Sequence, residues 1–131
     1  MKIFAMRCDR DNIYKGRLEE IDDTLEAKQE FVGGIIQCIS LTDEIDIILN
    51  DEGKLMGLPT NRLYIDENGY ILDLLVGNVF ACRHKGEEFT SILESDIPLI
   101  LNRMPAVLGI VNKKLIIERE GRLPDYETNK I

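Results

Sequence analysis

Tryptophan is absent, histidine occurs once, and aromatic residues make up only 6% of the 131-residue chain. A core built from this composition must rest on Ile, Leu and Val. A single histidine excludes any His-rich metal centre, and no Cys or carboxylate spacing completes a ligand set around it. The three cysteines, Cys8, Cys38 and Cys82, lie far apart and none belongs to a CxxC. Their odd number excludes a complete disulfide framework. Each has apolar neighbours ("MRC", "IIQCI", "VFAC"), so they read as buried, inert thiols of a reducing compartment. No apolar run is long enough to span a membrane. The densest, "IPLILNRMPAVLGIV", is broken by two prolines, Asn102 and Arg103. The opening "KIFAMRCDRD" is too short and too charged for a signal peptide. The expected location is the cytoplasm, away from membranes.

What is present is acid. The formal charge is −8 and the pI about 4.7. Phosphate neutralisation needs the opposite sign, so direct nucleic-acid binding is not expected. The imbalance is uneven. Residues 1–34 hold 8 acids and 6 bases, residues 35–80 hold 8 and 2, and residues 81–131 hold 8 and 8. The middle third carries most of the negative field, which suits solubility and attraction of a basic partner.

The length points to one compact domain, and the patterning to an α+β fold: a mostly antiparallel sheet covered on one face by one or two short helices. "KIFAMRC" reads as a strand that pairs with "YKGRLEEI" across the turn "DRDN". "DDTLEAKQEFVGG" reads as a helix, with Asp23 as N-cap and Glu26 completing a capping box. Leu25, Lys28, Gln29 and Val32 share its inner face, Phe31 lies at the edge, and Gly33 and Gly34 close it. "IIQCISL" and "EIDIILN" form a hairpin over "TDEI". "RLYIDENGYILDLL" forms a second, with a type I′ turn expected at Asn68 and Gly69. "VGNVFACRH" is a further strand. Thr90 or Ser91 caps a short helix carrying Ile92, Leu93, Ile97, Ile100 and Leu101, limited by Pro98. "VLGIV" and "KLIIERE", joined by Asn112 and Lys113, form a last hairpin, and "GRLPDYETNKI" reads as a loosely held tail.

No catalytic set emerges. The paired acids (Glu19 with Glu20, Asp22 with Asp23, Asp51 with Glu52, Asp66 with Glu67, Glu87 with Glu88) fall at turns or caps, where neighbours point apart. General acid–base chemistry instead needs two carboxylates aimed at one substrate. A thiol–imidazole dyad would have to use Cys82 and His84, two residues apart on one strand face, and would need an exposed, activated thiol. His84 reads better as an exposed strand-end residue. The densest polar stretch is "NDEGKLMGLPTNR", residues 50–62. It matches no phosphate-cradling loop. Its candidate ligand- or partner-binding residues are Asn50, Asp51, Glu52, Lys54, Asn61 and Arg62. Lys54 and Arg62 could clamp an anion, which keeps a nucleotide ligand open, or pair locally with acids. Leu55 and Leu58 are expected to anchor apolar contacts.

That stretch also carries a resemblance. The order "LEAKQEFVGG", "NDEGKLMGLPTNR" and "VGNVF" resembles an uncharacterised domain-of-unknown-function family of small phage and integrative-conjugative-element proteins. The matching residues are Leu25, Gln29, Val32, Gly33, Gly34 and Ile36, then Asn50 to Leu55 with Gly57, Leu58, Pro59, Asn61 and Arg62, then Gly77 and Phe80. Gln37 and Asp51 depart from the pattern. The resemblance covers residues 20–95 and leaves out the segment from Pro105 onward. It implies no activity and no cofactor. It implies a setting among accessory genes of mobile elements, which often encode proteins that block host nucleases or CRISPR effectors. The expectation is therefore a non-enzymatic binding protein with a host protein as partner. The alternatives are a nucleotide-binding protein using residues 50–62 and a small enzyme of unknown reaction.

Overall fold

A computed structural model describes residues 1–127. It contains ten strands in two sheets and two short helices. The first sheet is built from β1 (Lys2–Met6), β2 (Arg17–Glu20), β3 (Ile36–Ser40), β4 (Ile45–Asn50), β7 (Val79–Lys85) and β8 (Glu88–Thr90). Its order is β2-β1-β7-β4-β3, with β8 also paired to β7. The second sheet has the order β10-β9-β5-β6, from β5 (Thr60–Ile65), β6 (Ile71–Val76), β9 (Ala106–Val111) and β10 (Lys114–Glu118). Every strand pair is antiparallel. No helix among the described residues is long and apolar enough to cross a membrane.

The central strands β1, β7 and β4 of the first sheet are buried on both faces, which corrects the expectation of one covered face. Side chains alternate across a strand. Phe4, Met6, Val79, Ala81, Ile45, Ile47 and Leu49 point to one core, which α2 (Ile97–Arg103) closes with Ile100 and the second sheet closes with Leu75. Ile3, Ala5, Phe80, Cys82 and Ile48 point to the other, beneath Phe31 and Val32 of α1 (Leu25–Val32). The two helices thus lie on opposite faces. Every residue of β4 is buried.

Several local expectations shift by a residue or two. Thr24 caps α1: its hydroxyl accepts from the Ala27 N–H at 3.1 Å. Asp23 turns instead to the Lys28 ammonium at 2.8 Å. The inner face of α1 becomes Lys28, Phe31 and Val32, and Leu25 is exposed. The hairpin between β5 and β6 does not use a type I′ turn. Asn68 keeps negative φ, the Gly69 N–H donates to the Asp66 carbonyl at 3.1 Å, and Gly69 alone is left-handed at φ +86°. This is the three-residue alternative, a type I turn followed by a left-handed glycine. The positive-φ pair sits instead between β9 and β10, at Asn112 (φ 51°) and Lys113 (φ 66°).

Neither Thr90 nor Ser91 caps α2. Thr90 ends β8, and the Ser91 hydroxyl accepts from the Lys2 N–H at 2.9 Å. A turn of 3-10 helix over Glu94–Asp96 precedes α2, and the Asp96 carboxylate accepts from the Leu93 N–H at 3.0 Å. Pro98 is accommodated in the first turn of α2, where its missing N–H costs nothing. Leu93, expected on the apolar side, is exposed, while Ile92 and Ile100 are buried.

The segment after β10 is docked, not loosely held. Leu123 is buried, the Lys15 N–H donates to the Pro124 carbonyl at 2.9 Å, and the Tyr126 ring meets Tyr14 edge-on at 5.2 Å. Residues 128–131 of the expected tail lie outside the described residues.

Candidate functional site

Residues 50–62 do not converge on one site. Asn50 is buried at the end of β4; its amide donates to the Val32 carbonyl at 3.2 Å, and its oxygen accepts from the Glu52 N–H at 2.8 Å. Asp51, Glu52 and Lys54 are exposed on the turns that follow, with Lys54 paired to Asp73. Leu55 is 89% exposed and anchors nothing, whereas Leu58 packs between Gly53 and Gly77. Asn61 and Arg62 are fully buried in β5, where Asn61 is the extra residue of a bulge against β6. The anion clamp of Lys54 with Arg62 is therefore not formed. The cleft beside Asn50, Asp51, Lys54 and Asp73 measures about 110 Å³, below the roughly 300 Å³ at which small-molecule sites begin.

The buried members of the stretch hold the two sheets together. The Asn61 amide donates to the Met6 carbonyl of β1 at 3.0 Å and to the Gly77 carbonyl at 2.7 Å. Gly77 sits at φ +72°, and a Cβ there would meet Leu58 Cδ1 at 2.7 Å. A Cβ on Gly34 would stand 2.9 Å from the Asn50 amide. The "VGG", "NDEG", "GLP", "NR" and "VG" pieces thus bear on one another. Their pattern is a joint between β-layers.

Arg62 extends the joint into the segment beyond β10. Its guanidinium donates to Glu120 Oε1 at 2.6 Å, to the Met104 carbonyl at 3.2 Å and to the Tyr14 carbonyl at 2.9 Å. Glu120 also accepts from the Gly16 N–H at 2.5 Å. One carboxylate, at the end of the stretch expected as the last strand "KLIIERE", thereby neutralises a guanidinium in the interior. Sequence reasoning missed this partner because 58 residues separate the two.

A second missed pair lies on the α1 side of the first sheet. Asp46, an acid inside the otherwise apolar "IDIIL", is buried and sits 2.7 Å from His84 Nδ1. His84 is therefore a half-buried partner of Asp46 and not a free strand-end residue. Cys82 is directly opposite Asp46 in the sheet and fully buried. Its burial first, and the Asp46 charge second, push the thiol up to about 12. Cys38 is exposed, contrary to expectation, yet desolvation of the sulfur and then Asp46 push it up to about 11. Both shifts oppose thiolate formation, so no Cys82/His84 nucleophile is assembled. No group of three or more His, Cys, Asp or Glu among the described residues is arranged to hold a metal ion.

The acid pairs behave as separate side chains. Glu20, Asp22, Asp23, Asp51, Glu52, Glu67, Glu87 and Glu88 are exposed. Asp66 accepts from the Asn68 and Tyr70 N–H groups of its own hairpin, both at 2.9 Å. Glu19 takes both arms of Arg7, at 2.8 and 2.9 Å, and Arg17 at 3.1 Å. Burial alone would raise the Glu19 pKa, but the hydrogen bonds from Arg7 and Arg17 outweigh it and hold it below the ordinary carboxylate value. A folded-state pKa lowered in this way stabilises the fold above the ordinary carboxylate value, and that contribution is lost as pH falls through the folded value. Glu19→Gln should therefore lower the melting temperature at pH 7 and flatten its decline in acid. Thermal unfolding at pH 7 and pH 3 checks this: equal losses at both would show that the pair contributes nothing through ionisation.

No curated protein and no solved structure matches the chain. A family model does match, from residue 3 to residue 104, spanning β1 to the end of α2 and containing Asn50, Asn61 and Arg62 but not Glu120. On that match the chain belongs to the family described as Domain of unknown function (DUF3846).

Proposed function

We propose that this protein is a non-enzymatic accessory binding protein, and that it docks on a host protein through the β6 edge of the second sheet. One observation carries the reading. Tyr70, Ile71 and Leu72 are 70%, 56% and 54% exposed at the start of the edge strand. They lie in the acidic middle third, close in sequence to Asp66, Glu67 and Asp73. An exposed edge offers unpaired backbone groups to an incoming strand. An aromatic anchor beside aliphatic side chains is the composition of an interface hot spot. The net negative charge of this middle third favours a basic counterpart, the surface by which a nucleic-acid-handling protein holds phosphate. Taken together with the mobile-element setting that the family resemblance implies, the expected class of partner is a host defence protein, such as a nuclease or a CRISPR effector. The internal use of Asn50, Asn61, Arg62, Asp46 and Cys82 in packing supports binding over catalysis.

The test is expression of the protein in hosts carrying one defined nuclease- or CRISPR-based defence. Wild type should weaken the defence, and Tyr70→Ala should reduce binding to the effector by about 30-fold, the effect of losing a hot spot of ~2 kcal/mol. Leu72→Glu should abolish the effect with thermal stability retained. If defence is unchanged by wild type, or the Tyr70 and Leu72 variants act like wild type, the reading fails.

A further inference from the structure

We propose that the opposite edge of the second sheet, β10, pairs with β10 of a second copy of this chain to form a two-fold symmetric dimer. The inference stands apart from the β6 reading, and pairing at β10 leaves β6 free.

The hairpin of β9 and β10 stands mostly clear of the body. β9 meets β5 at a single register position, Arg62 opposite Ala106, reinforced by the Leu63 N–H on the Pro105 carbonyl at 2.9 Å. Beyond that base, Leu108, Ile110, Val111, Ile116 and Ile117 are exposed. Among the described residues, β10 has no neighbour on its outer side. Its pairing with β9 skips Leu108, which places the bulge on β9 and leaves β10 a regular strand. An apolar, regular edge without proline is what natural proteins ordinarily suppress or cover.

The sequence of β10, "KLIIE", says what covers it. Lys114 and Val111 flank the two-residue turn and form a pair. A turn of that length closes on a hydrogen-bonded pair. Lys114 and Ile116 therefore direct their backbone groups at β9, and Leu115 and Ile117 direct theirs outward. An antiparallel copy related by a two-fold axis at Ile116 sets Leu115 opposite the partner copy's residue 117, and Ile117 opposite its residue 115. Those are the outward-facing groups, so four backbone hydrogen bonds form. The same register sets Lys114 against the glutamate at position 118 of the second copy, and Glu118 against its lysine at position 114. Ile116 meets itself on the axis. Shifting the centre by one residue in either direction still brings outward-facing groups to the seam, but it sets Ile116 opposite position 114 or 118 of the second copy and loses both Lys–Glu pairs. Shifting by two keeps the backbone pairing but loses both Lys–Glu pairs. Among the described residues neither Lys114 nor Glu118 makes an ion pair within its own chain; Glu118 accepts only the Arg119 N–H, at 2.9 Å. The strand is self-complementary in charge, in backbone phase and in apolar surface, as an isologous contact requires.

Sedimentation equilibrium of the full chain tests the proposal. Wild type should show a concentration-dependent dimer. Lys114→Glu places two glutamates opposite each other twice, and Glu118→Lys does the same with lysines. Each should weaken self-association at least about tenfold. The double variant Lys114→Glu/Glu118→Lys should restore the dimer, and mixing the two single variants should yield a heterodimer. A monomeric wild type overturns the proposal, as does a dimer indifferent to both single variants. A dimer lost in the single variants but not recovered in the double variant or the mixture overturns this register.

Discussion

Replacing Arg62 with Met should lower stability by about 3–5 kcal/mol, the cost of breaking a buried ion pair from one side. The guanidinium is fully buried and serves three partners on different parts of the chain. Its loss leaves the Glu120 carboxylate, three-quarters buried, without its cation. It also strands the carbonyls of Tyr14 and Met104 in a dry interior. Two controls separate this from a general sensitivity of residues 50–62. Lys54→Ala removes a pair that is exposed on both sides, and should change stability by less than ~0.5 kcal/mol. Arg62→Met combined with Glu120→Leu removes both charges, and should recover part of the loss. Urea unfolding of the four proteins supplies the measurement. A loss below ~1 kcal/mol for Arg62→Met would contradict the structural role assigned here.

Asn61→Asp is expected to be comparably severe, at about 3 kcal/mol or more, although it changes one amide nitrogen to oxygen. The Asn61 Nδ2 group donates to two carbonyls, of Met6 and Gly77, at a site with no solvent exposure. A carboxylate there faces two acceptors with no donor to offer, and carries a charge into the core. To avoid that, the aspartate must hold its proton, so its pKa rises in the folded state. The sign of the pH dependence follows. A raised carboxyl pKa penalises the fold increasingly as pH climbs above the ordinary carboxylate value. The gap between Asn61→Asp and wild type should therefore be widest near pH 7 and narrow towards pH 4. Denaturant melts at the two pH values measure it, and a gap independent of pH would mean that the carboxylate reaches water.

Both predictions assign a family signature to architecture. The stretch looks reactive because it concentrates charge and amide groups, yet its most deeply placed side chains, Asn61 and Arg62, are polar. Arg62 and Asn61 are fully buried while Leu55 lies in solvent. Hydrophobicity alone would have ordered them the other way. A polar residue can be buried when backbone carbonyls from other strands are waiting for it. Those carbonyls belong to Met6, Gly77, Met104 and Tyr14, which no local pattern brings near β5.

By itself the sequence determined the antiparallel α+β class, most strand positions, the glycine closure of α1 and family membership. These rest on period-2 patterning, turn chemistry and the close glycine contacts, all of which act over a few residues. It also placed the last hairpin at Asn112 and Lys113. Tertiary structure decided the rest. The placement of α1 and α2 on opposite faces of the first sheet came from both faces of β1, β4 and β7 being apolar, which sequence alternation alone left ambiguous. The pairing of Arg62 with Glu120, and of Asp46 with His84, spans 58 and 38 residues. Such pairs are set by which strands the sheets bring together. A charged side chain's partner is chosen by the fold, and its role follows from that partner more than from its neighbours in the chain.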